Sequence, residues 1–259
     1  MHLLHLTDFH YGDPATAPLD PAAPALSKSL PIADRLERCQ KSLAGISLDA
    51  LILSGDFSMD GNPADARQLM QEIDLFFPDL PVAFVPGNHD HLAKPAKNAS
   101  SAKKYVPSDK AFLLPDLSVI CLDTSRPGND RGVIDPAQCQ WLKQQLTKPD
   151  GQPTILVTHF HLLPGQHSMP CAAYPDEFME IVAQSSLIAV FTGHTHCHYQ
   201  GFFCGKPYCT APGFSFYGLP AADGTVFLEP CFGYNLYTIE KGYLANIKTE
   251  TFYVSLDTL

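Results

Sequence analysis

The chain has 259 residues, 45% of them hydrophobic, and carries 17 Lys and Arg against 27 Asp and Glu for a formal charge of −10. That much apolar material can bury a core, which excludes a disordered chain, and the length fits one domain over residues 1–259. The acidic balance argues against a nucleic-acid duplex or an anionic membrane as partner, so an anionic substrate must be drawn by a local charge such as a bound cation.

The opening Met-His-Leu-Leu-His-Leu-Thr-Asp lacks the basic start and apolar middle of a signal peptide, and no apolar run approaches the ~20 residues that cross a bilayer. A soluble, cytoplasmic protein is the expectation. Eight cysteines scattered through so long a chain read as reduced thiols rather than a disulfide framework.

In chain order, strand-length apolar runs occur at 2–7, 50–54, 82–85, 118–122, 154–158 and 187–192, several without period-two alternation, as in buried strands of a central sheet. Helical patterns fall between them at 32–44, 63–77 with Asn62 as cap, 136–146 after Asp135, and 176–184. This alternation predicts an α/β layered fold. Beyond His198 come short runs at 199–203, 207–211, 225–228, 234–240 and 243–254, which read as antiparallel hairpins. The stretches 13–30, 92–109 and 212–233 read as long loops.

Asp8 and His10, Asp56, Asn88, His159, and the pair His194 and His196 each follow an apolar run, where open α/β sheets place their sites. Glycine precedes Asp56, Asn88 and His194, as a sharp strand-end turn requires. Taken one at a time, Asp8 or Asp56 is an ordinary strand-end cap and His194 or His196 a polar hairpin residue. Five such clusters in one chain are poorly explained that way.

The blocks Asp8-Phe-His10, Gly55-Asp56, Gly87-Asn88-His89-Asp90, His159 and Gly193-His194-Thr-His196 resemble the signature of calcineurin-like metallophosphoesterases. The stretches after Asp56 and His196, and Gly233 to Ile239, are most similar to the branch of class III cyclic nucleotide and glycerophosphodiester phosphodiesterases. The resemblance implies a four-layer α/β/β/α sandwich of two mixed sheets flanked by helices, with the hairpins from about residue 198 forming the second sheet. It implies that Asp8, His10, Asp56 and His196 hold one ion and Asp56, Asn88, His159 and His194 a second, with Asp56 bridging. Carboxylate, imidazole and amide ligands suit Fe, Mn, Zn or Co. Two such ions roughly 3.5–4 Å apart share a hydroxide that attacks phosphorus while they polarise the phosphoryl oxygens.

His89 is expected over the substrate with Asn88, stabilising charge or protonating the leaving oxygen, and Asp90 is expected to orient a histidine. His161 stands where many relatives carry a His-His pair; a structural or solvated role is expected for it first, with a further substrate contact as the lesser reading. Structural or solvated roles are expected for His2, His5, His91, His167 and His198, and a turn-capping role for Asp60. Phe214, Phe216, Tyr217, Phe227, Phe232 and Tyr234 read first as loop-packing anchors, with a substrate wall as the lesser reading, and Lys94, Lys97, Lys103 and Lys104 as a solvated loop. The function expected is hydrolysis of small phosphodiesters, with a phosphomonoesterase or pyrophosphate hydrolase, and a non-catalytic metal-binding scaffold, as alternatives. A small phosphate ester is the expected partner, and homo-oligomerisation is left open.

Overall fold

The computed structural model describes residues 1–13, 15, 23–91, 108–129, 131–147, 151–220 and 226–254. Lys94, Lys97, Lys103 and Lys104 lie outside the described residues. Strands β1 (His2–Leu6), β2 (Ala50–Leu53) and β3 (Val82–Phe84) run parallel in a five-stranded sheet. It is completed by β12 (Cys231–Glu240) and β13 (Tyr243–Tyr253) in the order β13-β12-β1-β2-β3. The second sheet holds β4 (Lys110–Leu114), β5 (Leu117–Cys121), β6 (Thr154–Val157), β7 (Leu187–Thr192), β8 (Tyr199–Phe203) and β9 (Lys206–Thr210) in the order β4-β5-β6-β7-β9-β8.

The four layers follow from which side of each strand faces what. Leu3, Ile52, Val119, Val157, Ala189 and Phe191 meet in the core between the sheets. The alternate residues Leu4, Leu6, Leu51 and Leu53 pack outward against helices α2 (Ile32–Ser42) and α3 (Pro63–Phe76). On the other sheet Ile120, Leu156 and Val190 face α4 (Pro136–Leu146) and α5 (Asp176–Gln184). Each strand is therefore apolar on both sides, which is why its sequence reads as a continuous run.

The helix starts are where the sequence placed them, while α2 and α3 stop at Ser42 and Phe76, short of the expected 44 and 77. Asn62 accepts from the Ala64 amide ahead of Pro63 in α3, and Asp135 with Gln138 closes a capping box ahead of Pro136 in α4.

Three expectations need correction. The six apolar runs divide between two sheets, because a strand buried on both faces carries no mark of which sheet it joins. The hairpins after residue 198 do not form the second sheet: β12 pairs antiparallel with β1 (His5 opposite Asn235) and β9 pairs parallel with β7, so they cover an open edge of each sheet. The stretches read as loops contain the short elements α1 (Ala23–Leu26) and β10 (Tyr217–Pro220), the latter paired with β11 (Val226–Glu229), which falls at the run expected at 225–228. No helix among the described residues is long and apolar enough to cross a membrane.

Candidate metal centre

The C-terminal ends of β1, β2 and β3 in one sheet face those of β6 and β7 in the other, and all seven ligand candidates lie in the turns just beyond them. The turning is done by the ligands themselves. Asp8, His10, Asp56, His194 and His196 have φ of 56°, 44°, 53°, 71° and 57°. Left-handed backbone is uncommon for residues with a Cβ, and it concentrates at functional sites where surrounding structure holds it in place. Glycine contributes mainly room: a Cβ on Gly87 would collide with the Asp56 side chain and amide, and one on Gly193 with Thr7 Oγ1.

The side chains converge as two linked groups. Asp8, His10 and His196 offer ligand atoms within 4.8 Å of one another, as do Asp56, His159 and His194. His10 Nε2 and His196 Nε2 are 3.2 Å apart, and Asp8 Oδ1 is 3.4 Å from His196 Nε2. Asp56 Oδ2 lies 3.6 Å from His10 Nε2 and 3.5 Å from His159 Nε2, so one carboxylate oxygen faces both groups. Asn88 Oδ1 is 3.1 Å from His159 Nε2.

Hydrogen bonding behind the ligands decides which atoms are bare. His159 Nδ1 donates to the Ser54 carbonyl at 2.6 Å and His196 Nδ1 to the Phe216 carbonyl at 3.1 Å, which leaves a lone pair on each Nε2 in the neutral ring. Asp8 Oδ2 is taken by Thr7 Oγ1 (2.7 Å) and the His194 amide (3.0 Å), while buried Asp8 Oδ1 and His194 Nε2 have no hydrogen-bond partner. Asn88 Oδ1 faces His159 Nε2, and where that ring is neutral both are acceptors. The buried, unpartnered Asp8 Oδ1 and His194 Nε2, with the half-buried Asn88 Oδ1 beside them, are acceptors that a cation satisfies, and the donor set fits a transition-metal ion. The protonation of His159 leads to the same conclusion. Burial opposes its charge, yet Asp56, Asp8 and the Ser54 carbonyl raise its pKa to about 9, so these anions call for positive charge at this point.

His89 joins Asp56 and His10 in a third group within 4.8 Å. Its amide donates to Asp56 Oδ1 (2.8 Å) and its Nδ1 to the Met59 carbonyl (2.7 Å), and its ring stands edge-on to His10 with 4.4 Å between centroids. Asp90 does not orient a histidine by any bond seen here. Its Oδ1 accepts from the Phe57 and Ser58 amides and its Oδ2 from the Gly87 amide, so it ties the turn after β2 to the turn after β3. Three backbone donors suit a carboxylate better than a second imidazole would.

His161 is buried with its ring parallel to His194 at 5.7 Å, and neither of its nitrogens has a hydrogen-bond partner. Asp60 accepts from the Asn62 amide, in a turn as expected. Phe214, Phe232 and Tyr234 lie in the core, and Phe216 stacks on His196 at 3.9 Å. The segment after β9 contributes contacts that the sequence did not signal: Ser215 Oγ donates to the Asp8 carbonyl (2.6 Å) and the Phe214 amide to that of Thr7 (2.8 Å). A recess of about 580 Å³, walled partly by Tyr11 and Arg35, opens beside His10.

His5, beneath the site, lies between Ser54 Oγ (2.7 Å) and Tyr237 Oη (3.0 Å), and burial lowers its pKa to about 3. The folded protein keeps it neutral while the unfolded chain binds a proton below about 6.5, so its stabilising effect is full above that pH and is lost as pH falls toward 3. Between pH 7 and pH 5 the metal-free protein should lose about 2 kcal/mol through this residue. Urea unfolding of wild type and His5→Gln at the two pH values checks it: the variant should fall by less, and equal falls would refute the assignment.

Carboxylate and imidazole gathered at the tips of two facing sheets form clusters that could hold a metal ion. The calcineurin-like phosphoesterase family matches residues 1–198, and the chain belongs to that family, as the residue blocks led one to expect. It is 30% identical over 69% of its length to the cAMP/cGMP dual specificity phosphodiesterase of Mycobacterium tuberculosis, a match that spans 58% of that protein. It is 31% identical over 71% of its length to a probable cyclic nucleotide phosphodiesterase of Synechococcus, spanning 73% of that protein. In fold it is similar to the purple acid phosphatase PPD1 of yellow lupin, with a TM-score of 0.57 at 12% identity, over 97% of this chain and 51% of that one.

Proposed function

We propose that the protein is a two-metal phosphodiesterase acting on small organic phosphodiesters, with 3',5'-cyclic nucleotides or glycerophosphodiesters as the class of substrate. The observation that carries this reading is Asp56 Oδ2 facing His10 and His159 at once, which makes Asp56 the natural bridge between two ion positions. Asp8, His10, Asp56 and His196 would hold one ion, and Asp56, Asn88, His159 and His194 the other, drawn from Fe, Mn, Zn or Co. Bound there, the pair would supply an activated water and polarise the phosphoryl group.

The chain's own residues account for the rest. With Nδ1 donating to Met59, His89 turns Nε2 away from that bond, where a proton on it can pass to the departing oxygen. Asn88, its Oδ1 toward His159, has its amide nitrogen left to donate to a phosphoryl oxygen. The Thr7, Ser54 and Phe216 contacts fix the ligands before substrate arrives. The curated relatives' names favour diesters over monoesters as substrates.

The test is hydrolysis of an aryl phosphodiester and of cyclic nucleotides by purified protein. Activity should disappear on chelation, return with Mn or Zn, and exceed that on the matching monoester. Turnover indifferent to chelation, or confined to monoesters, would overturn the reading.

A further inference from the structure

Asp123 and Ser125 lie just beyond β5 in the six-stranded sheet, both fully buried, and belong to no ligand group. Ser125 Oγ donates to Asp123 Oδ1 at 2.5 Å, and Asp123 Oδ2 accepts from the Ser108 amide and hydroxyl at 2.9 and 3.1 Å. Having given its only proton to Asp123, the Ser125 hydroxyl can only accept from His91 Nε2, 2.8 Å away, which sets His91 as the Nε2–H tautomer. Gln138 on α4 closes the other side, donating to the Asp123 carbonyl at 2.7 Å.

His91 ends the single 3-10 turn that begins with His89. Asp90, between them, grips backbone of the five-stranded sheet's turns, while His91 grips the other sheet through Ser125. The turn is thus held from both sides of the centre, and a one-turn segment cannot shift at one end without rotating the other.

We propose that Asp123, Ser125 and His91 form a positioning chain that fixes the orientation of His89 across the junction of the two sheets. The proposal rests on the phosphodiesterase reading for its kinetic consequence and on geometry alone for the rest. Asp123 accepts from the amide and hydroxyl of both Ser108 and Ser125, so both its oxygens are engaged and the Ser125 hydroxyl is held in one orientation toward His91.

The test begins with wild-type turnover of the aryl phosphodiester as reference. Ser125→Ala should lower kcat about tenfold, the scale seen when supporting hydrogen bonds are removed, with KM and metal content unchanged. In a His89→Ala background the same substitution should cause no further loss, because its effect passes through His89. His91→Gln, whose amide can still donate to Ser125, should retain most turnover, whereas His91→Leu should match Ser125→Ala. The half-buried His91 gives the same comparison if the Ser125 variant does not fold.

Histidine ¹⁵N NMR of metal-free protein reads the chain without turnover: His91 should appear as the Nε2–H tautomer, and Ser125→Ala should move the His89 resonances. An inactive wild type with these NMR results refutes the phosphodiesterase reading and keeps the chain. Additive losses in the double variant, or unmoved His89 resonances, overturn the chain.

Discussion

Asp56→Asn should reduce phosphodiester turnover by roughly 10³-fold, equivalent to about 4 kcal/mol of barrier. The substitution preserves size and an oxygen for the His89 amide, now 2.8 Å from Oδ1, so the fold and the turn carrying His89 should persist. What it removes is the charge on the oxygen that lies between His10 and His159, proposed to face both ion positions. Both should weaken together, where loss of a residue serving one position alone would weaken that one first. Steady-state kinetics on metal-reconstituted variant checks it, and activity within tenfold of wild type would contradict the role given to Asp56.

Gly87→Ala should be damaging through sterics alone. The added methyl would meet the Asp56 carboxylate and amide, and the backbone has nowhere to retreat, because the Gly87 amide is itself held by Asp90 Oδ2 at 2.8 Å. Overpacking of this kind costs about 1–3 kcal/mol. Because the displaced group is the carboxylate proposed to bridge the ions, turnover should fall by about 10²-fold beyond any loss of folded protein. Denaturant unfolding and kinetics on the same preparation separate the two effects. A variant with wild-type stability and turnover would show that Asp56 need not sit where it does.

The candidate ligands were legible in the sequence because each is a metal-capable side chain placed just after a buried strand, and that placement recurs at Asp8, Asp56, Asn88, His159 and His194. The helices at Pro63–Phe76 and Pro136–Leu146 were legible from cap and proline chemistry at their starts. The two-sheet sandwich was expected from the family resemblance, but which strands join which sheet was not legible, since Leu3 facing the sheet interface and Leu4 facing a helix are equally apolar. Nor was the left-handed backbone at the ligands: the preceding glycines signalled a tight turn, but not that Asp56 and His194 would adopt positive φ themselves.

Asp90 was correctly placed near the site and wrongly partnered. Its three amide donors come from Phe57, Ser58 and Gly87, and backbone donors leave no trace in residue identity. Asp123 and Ser125 escaped notice for a related reason: their link to the site passes through His91, across two sheets whose adjacency the sequence does not state.

The most direct test of the account is the anomalous signal from a crystal soaked in manganese. Two peaks are expected on either side of Asp56 Oδ2, one bordered by Asp8, His10 and His196, the other by Asn88, His159 and His194. A single peak, or peaks that leave Asp56 outside coordination distance, would contradict it.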